Sequence, residues 1–559
     1  MSIAALRAAY ATGVTPRSVL DGIDTSDDTV WITRADALAA ADDLPRRWPD
    51  PANRPPLYGI PFSVKDNIDV AGLPTTAACP DFAYTPTRSA PLVDRLLHAG
   101  AILVGKNNLD QFATGLTGAR SPYGTPRNPF DTRYITGGSS SGSAVAVATG
   151  AVSFSIGTDT ARSGRVPAAL CDVVGLKPSR GLVSTLGIVP ACPSLDCPSV
   201  FAPSVADATT VLDVIAGYEP ADPWSRRLTA TTTTPAAVGV PENAEFGGDR
   251  AAERLFADAI ARLERTGVTL VPVDLEPFLA AGRLLYQAWV AERWTHLGAF
   301  VTAHPDSVHP VTRRVLTTAT TYSAADAFAA MHRLRALRAE TAPVWATVDA
   351  LMIPTVPTTY TIDEIEADPF GRNAFLGHYT QFANLLDLAG IAVPAGFTPA
   401  GLPFGVQFLA PAGHDTALAA LASRFEAHAE VLLAVVGAHR TGQPLHHELA
   451  VCGAVPVGPM WTAKHYRLFA LDRERPGLVR VESGGAPVEV EVHRISTAGL
   501  GRLLAGVPAP LGLGRVELAD GSTVVGFLAE SYAVAGAPDI TEYGSWPAYI
   551  DARISRPST

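Results

Sequence analysis

The stretch that decides how this chain is read begins Gly137-Gly138-Ser139-Ser140-Ser141-Gly142-Ser143 and ends Gly157-Thr158-Asp159-Thr160-Ala161-Arg162-Ser163-Gly164-Arg165-Val166-Pro167. Runs of glycine and serine most often form flexible linkers. The residues in between argue otherwise here. Residues 144–149 are apolar and compact, as in a buried helix, and 152–156 alternate as a short strand does. A glycine-rich loop that opens a buried helix leaves the first N–H groups of that helix free and favours an anion. It is not a phosphate-binding P-loop, because the Gly-Lys-Ser/Thr ending is missing. Gly138 to Gly142 fits G-x-S-x-G by letter, but a nucleophile elbow needs an apolar strand running into it, and Asp131-Thr132-Arg133-Tyr134-Ile135-Thr136 is too polar for one. Hydroxyls and glycines are thus concentrated where a loop brings backbone and nucleophile against a substrate.

Both halves of the stretch resemble the signature of the amidase signature family, which reads Gly-Gly-Ser-Ser-Gly-Gly-Ser, then Gly-Thr-Asp-Thr-Gly-Gly-Ser and Arg-x-Pro-Ala. The interval from Ser139 to Ser163 is the family's as well. That family requires an upstream lysine in Val-Lys-Asp-x-x-x-Val-x-Gly, and Val64-Lys65-Asp66-Asn67-Ile68-Asp69-Val70-Ala71-Gly72 supplies it. The resemblance implies that Ser163 is the nucleophile, that Ser139, at a cis peptide bond, relays its proton, and that Lys65 is the base. A serine hydroxyl is a weak nucleophile until a base takes its proton. Lysine serves as that base only when neutral, a form that burial among apolar neighbours such as Val64, Ile68 and Val70 favours. The backbone N–H groups of Thr160, Ala161, Arg162 and Ser163 would hold the developing oxyanion. The family has two glycines before the nucleophile where this chain has Ala161 and Arg162. Alanine at the first place goes with the family's allophanate-hydrolase branch. The Arg162 side chain either recruits an anion or blocks the site, and the sequence leaves both readings open.

With 559 residues, 47% hydrophobic and 17% charged, the chain is long and apolar enough for a large core and more than one domain. Its net charge of −11 argues against a nucleic-acid or anionic-membrane partner, yet local arginines are free to focus a small anionic amide substrate. Cys79, Cys171, Cys192, Cys197 and Cys452 are scattered, with neither a disulfide framework nor a zinc spacing. Reduced thiols in a cytoplasmic protein are therefore expected, and the amidase resemblance implies no metal or cofactor. The N-terminus has no long apolar segment and no membrane-length apolar run occurs, so neither a secretory signal nor a membrane partner is expected.

Along the chain, residues 1–50 read as helix, turn and helix, and 51–56 as a connector. The lysine segment reads as a strand, 89–100 as an amphipathic helix and 101–104 as a buried strand. Strands alternating with helices point to an α/β fold, a mixed sheet covered by helices, as the amidase resemblance also implies. Residues 107–124 and 189–197 again resemble the allophanate branch, and Asp196 is read as a packing or hydrogen-bonding residue, the alternative being that it buffers the site. In that branch a tyrosine and an arginine of one helical segment hold the substrate's carboxylate. Tyr286 and Arg293 match them by type, one residue closer together. A guanidinium suits a carboxylate through two parallel hydrogen bonds, the alternative being Arg293 paired with Glu292 on a helix surface. Residues 413–436 read as the last helix of this part of the chain.

The amidase resemblance is placed over 1–440, a linker over 441–463, and a small α+β domain over 464–559. This last domain resembles the C-terminal domain of allophanate hydrolases, itself similar to γ-glutamyl cyclotransferases, whose catalytic chemistry is not carried over. The resemblance implies hydrolysis of the terminal amide of allophanate, releasing ammonia and, after further breakdown, carbon dioxide. A homodimer is expected by analogy. Two alternatives stand beside it: another amidase acting on a small carboxylated or neutral amide, and a binding or assembly protein impaired by Arg162. The amidotransferase component that works on charged tRNA shares the triad, but the C-terminal domain and the acidic charge count against it.

Overall fold

The apolar runs of the first four hundred residues assemble into one mixed sheet, seen in a computed structural model that describes residues 1–472 and 475–554. Residues 473, 474 and 555–559 of the expected C-terminal domain lie outside the described residues. The chain divides into two compact units, Met1–Glu426 and Ala427–Thr559.

In the first unit the strands are β1 (Trp31–Arg34), β2 (Pro61–Lys65), β3 (Ile102–Asn107), β4 (Phe154–Thr158), β5 (Val174–Lys177) and β6 (Pro198–Ala202). They are followed by β7 (Ala237–Pro241), β8 (Thr269–Val273), β9 (Ala350–Pro354), β10 (Leu388–Phe397) and β11 (Pro403–Pro411). Their order across the sheet is β1-β3-β2-β4-β6-β5-β10-β11-β9-β7-β8. β3, β2 and β4 are parallel to one another, and so are β9, β7 and β8, while the strands between pair antiparallel. Every residue of β2, β3 and β4 is buried, including Ser63 and Ser155, whose hydroxyls hydrogen-bond to each other at 2.9 Å across the sheet. The strand expected at 152–156 is β4, shifted two residues on. β1, a short strand at the sheet edge, has no signal in the sequence, because Trp31-Ile32-Thr33-Arg34 is too brief to show a period.

Helices cover the sheet by single faces. The helix Arg250–Arg265 begins at Asp249, whose carboxylate accepts the N–H groups of Ala251 and Ala252, and it buries Ala252, Phe256, Ala259 and Leu263 along one stripe. The small-residue helix Ser141–Ala148 is buried along nearly its whole length, in keeping with its composition. Because β2 and β4 are parallel neighbours inside the sheet, with Val64 opposite Ile156, Lys65 and the loop after Thr158 lie at the same C-terminal end of the strands. That shared end is where the candidate site forms.

The second unit begins earlier than the sequence suggests. Residues 430–435, expected to end a helix, form β12 (Glu430–Val435), and the segment 441–463, expected to be a linker, contains the helix His446–Val451 and β13 (Val455–Trp461). β14 (Tyr466–Ala470) and β15 (Pro476–Arg480) form a hairpin, and β16 (Glu489–Ser496), β17 (Leu511–Glu517) and β18 (Thr523–Ala529) complete a sheet of order β13-β16-β12-β18-β17. β13 is hidden in the sequence by its Pro456, Gly458 and Pro459. Proline is tolerated at a sheet edge, and β13 stands at one. The helix expected near Leu500 is Thr497–Gly506, capped by the Ser496 hydroxyl. Among the described residues no helix is long and apolar enough to cross a membrane.

Phe62 on β2 and Phe154 on β4 stack with ring centroids 5.3 Å apart, both fully buried. Phe154→Ala is expected to destabilise the first unit by about 3–5 kcal/mol through the lost burial and the cavity left behind. Phe154→Leu should cost distinctly less. The shift of the urea midpoint of the protein's unfolding transition checks both.

Candidate active site

Lys65, the last residue of β2, is fully buried, and its Nζ lies 2.8 Å from Ser139 Oγ and 2.8 Å from Thr158 Oγ1. Ser139 Oγ in turn lies 3.0 Å from Ser163 Oγ. Burial strips water from the amine and brings its pKa from 10.5 down to about 7, against the opposing pull of Asp110, Asp159 and Asp196 and with help from Arg293. The lysine at this site therefore exchanges its proton near neutrality. The Gly138–Ser139 peptide bond is cis. Gly138 has no room for a side chain: a Cβ there would stand 2.1 Å from Asp110 Oδ2.

Three buried carboxylates hold the loops around these groups. Asp110 accepts the N–H groups of Thr117, Gly118 and Arg120, while its own N–H donates to Ser139 O at 3.0 Å. Asp159 pairs with Arg165 at 2.9 Å, both fully buried, and accepts the N–H of Gly164. Asp196 accepts from the Thr160 hydroxyl at 2.6 Å and from the N–H groups of Ala191 and Cys192, which is the hydrogen-bonding role read for it.

These bonds also orient the loop before Ser163. Arg165 Nη2 donates to Ala161 O at 2.6 Å, and Asn384 Nδ2 donates to Asp159 O at 2.7 Å. In a planar trans peptide the N–H points opposite to the carbonyl. Holding these two carbonyls therefore turns the N–H groups of Thr160 and Arg162 the other way. Among the described residues, the backbone N–H groups of residues 160–163 donate to no protein acceptor.

Tyr286 and Arg293 come together, though not along one helix. Tyr286 ends a short 3-10 turn, Leu284–Tyr286, the backbone breaks at Gln287, and Arg293 belongs to the helix Trp289–Ala303. That break corrects the expectation of a single helical segment. Arg293 is buried rather than on a helix surface, and its Nη1 donates to Thr114 Oγ1 at 3.0 Å. Glu292, the surface partner of the alternative reading, instead accepts from the N–H and hydroxyl of Ser194. The Arg162 guanidinium donates to the Tyr286 hydroxyl and lies 5.0 Å above the centre of that ring.

Burial pushes the Tyr286 hydroxyl up, but Arg162, Arg293 and Arg120, with Asn373, outweigh it and hold the group below the usual tyrosine value. Sequence reasoning misses Arg120 and Asn373. Arg120 is nearly fully buried and donates to Thr114 O and Pro369 O. Among the described residues, none of Arg120, Arg162 and Arg293 forms a side-chain ion pair with a carboxylate. The only hint of Arg120 is its place in the 107–124 segment, and Asn373 has none, because it meets Tyr286 only through the tertiary fold.

Comparison with known proteins bears on both units. The sequence pattern of the family described as Amidase matches residues 17–419, and that of the Allophanate hydrolase C-terminal domain matches 431–551. The urea amidolyase of Saccharomyces cerevisiae is 40% identical over 543 residues, 89% of this chain and 30% of that protein. The chain thus spans less than a third of that relative's length. A glutamyl-tRNA(Gln) amidotransferase component from Synechococcus is 33% identical over 72% of this chain and 90% of its own. Among solved structures, Kluyveromyces lactis allophanate hydrolase is similar with a TM-score of 0.73 and 36% identity, over 99% of each chain. The fold of these neighbours is the α/β amidase-signature fold, as expected; the likeness of the C-terminal unit to cyclotransferases finds no support in them.

The buried Arg165–Asp159 pair gives a direct test of what holds the loop. Arg165→Met strands a carboxylate in the interior and is expected to cost about 3–5 kcal/mol, read as a fall in the urea midpoint. Adding Asp159→Asn to the same chain removes the stranded charge and should recover part of the loss.

Proposed function

This chain belongs to the amidase family and carries an allophanate hydrolase C-terminal domain, and from that premise we propose that it hydrolyses the terminal amide of allophanate (urea-1-carboxylate). The observation that carries the reading is the continuous chain from Lys65 Nζ through Ser139 Oγ to Ser163 Oγ, at 2.8 and 3.0 Å, in a site where Arg120, Arg162 and Arg293 have no carboxylate ion partner among the described residues. The similarity to K. lactis allophanate hydrolase over the whole chain supports the same substrate class.

In this reading the neutral Lys65 amine takes a proton from Ser139 as Ser139 takes one from Ser163. A neutral amine keeps one lone pair for that proton while still donating to Thr158. Ser163 Oγ attacks the amide carbonyl, and the carbonyl oxygen becomes an oxyanion held by the N–H groups of Thr160, Ala161, Arg162 and Ser163. The proton returns through Ser139 to the departing nitrogen, and the C–N bond breaks to free ammonia. Water then enters by the same relay, cleaves the acyl–serine ester and leaves a dicarboxylated amine whose breakdown yields carbon dioxide. Tyr286 and Arg293 hold the carboxylate at the other end of the substrate. Neither metal nor cofactor enters these steps. A homodimer in the cytoplasm is the assembly and location proposed with this activity.

Ammonia release from allophanate by the purified protein is the first test, and Ser163→Ala or Lys65→Ala should each lower kcat/KM by roughly 10⁴-fold or more. Full activity in Ser163→Ala would remove the assigned nucleophile. The active form of Lys65 is the neutral one, so kcat/KM should rise with pH through about 7 and level off above it. Because the Arg293 charge helps keep Lys65 neutral, a bound carboxylate that offsets it should move the limb of the kcat profile to higher pH than that of kcat/KM. Coincident limbs would argue that no anion binds beside Arg293.

A further inference from the structure

We propose that the Arg162 side chain is a specificity-determining donor for the substrate's carboxylate, completing with Arg293 the pocket that admits small carboxylated amides. The inference rests on the amidohydrolase reading above and concerns the residue that departs from the family's two-glycine pattern. Arg162 is 4% exposed, with no carboxylate in ion-pair contact among the described residues. Its Nη2 is engaged with the Tyr286 hydroxyl, but its Nη1 is buried and has no hydrogen-bond acceptor. By contrast, both Nη atoms of Arg120 are taken by backbone carbonyls, and Arg293 Nη1 is taken by Thr114. Among the described residues, Arg162 Nη1 is thus the one guanidinium nitrogen of the three that is fully buried and left without an acceptor.

A buried donor without an acceptor is costly, and a buried cation without an anion more so. Such an arrangement is consistent with a site whose ligand supplies both. The structure also makes room for the group: a Cβ on Gly377 would lie 2.4 Å from Arg162 Nη1. Burial weakens the hold of Arg162 on its proton, the Arg293 and Arg120 charges add to that, and Tyr286 works the other way. One carboxylate relieves all three cations together. The ligand chemistry is therefore a small amide with a carboxylate at the end away from the reacting carbonyl, and the neutral amide of the same shape is the one rejected.

Malonamate and malonamide form the matched pair of probes, since they differ by a carboxylate against a carboxamide. The measurement is the ratio of their kcat/KM values in the parent, in Arg162→Gly and in Arg162→Gln, with thermal unfolding to verify that each variant is folded. The ratio is expected to fall roughly 10- to 100-fold in both variants, carried mainly by KM for malonamate, as for loss of a hydrogen bond to a charged group. Arg162→Lys should give an intermediate ratio. In a Ser163→Ala background, calorimetric binding of malonamate should weaken by a similar factor on adding Arg162→Gln, a readout independent of turnover. An unchanged ratio, or an equal rise on both amides in Arg162→Gly, overturns the proposal, the second result marking the side chain as obstructive. A parent without preference for malonamate sinks the carboxylated-substrate reading itself, before any variant is compared.

Discussion

The constraint on which the site depends is the removal of Lys65 from water. A lysine ammonium is strongly hydrated, and the interior here offers it two hydroxyls at 2.8 Å and, among the described residues, no carboxylate in contact. Three aspartates lie near enough to favour the charged form, yet burial outweighs them. The reason lies in how those aspartates are used. Asp110 and Asp196 are surrounded by N–H and O–H donors, and Asp159 is paired with Arg165, so much of their charge is already answered. The end of the sheet at which Lys65 is removed from solvent is also where the loop with Ser163 emerges, because β2 and β4 are parallel neighbours.

The same carboxylates give the loops their shape. Glycine-rich segments have many backbone conformations to lose on folding, and each of these is fixed by a buried anion that gathers several N–H groups. Asp110 ties residues 117–120 to the backbone of Ser139, and Asp159 with Arg165 closes residues 159–165 on themselves. Asp196 then joins Thr160 to the 191–196 turn, whose Ser194 is held by Glu292, the neighbour of Arg293. A continuous polar path therefore runs from the loop before the nucleophile to the helix that carries the candidate carboxylate ligand.

Much of this is legible in the sequence because the chemistry is local. Gly138, Ser139 and the segment 157–167 are dictated letter by letter by a tight approach and a closed loop, so a motif records them. The strands are legible where a buried apolar run opens them, as Ile102, Leu103 and Val104 do in β3. Three features are not. β13 has two prolines and a glycine at a sheet edge and mimics a linker. The turn ending at Tyr286 breaks at Gln287 without a glycine or proline to announce it. Arg120 and Asn373 join the site from segments some 250 residues apart, brought together only by packing, as in the bond from Leu116 N–H to Asn373 Oδ1.

The replacement of the family's second glycine by Arg162 becomes intelligible once the loop is seen as a backbone edge. The Ala161 methyl packs into an apolar cluster with Cys192, Leu195, Leu285 and Phe382. The next side chain, Arg162, runs to Tyr286 and Gly377 instead. Both side chains have destinations of their own, and the N–H groups between them are left without protein acceptors. Glycine is required where a Cβ would collide or where the backbone enters the left-handed region, and Arg162 is not among the residues with positive φ. What the site demands at this position is a free N–H, which any residue except proline supplies. The side chain is then open to selection for another purpose, and beside Arg293, Arg120 and Tyr286 that purpose is electrostatic.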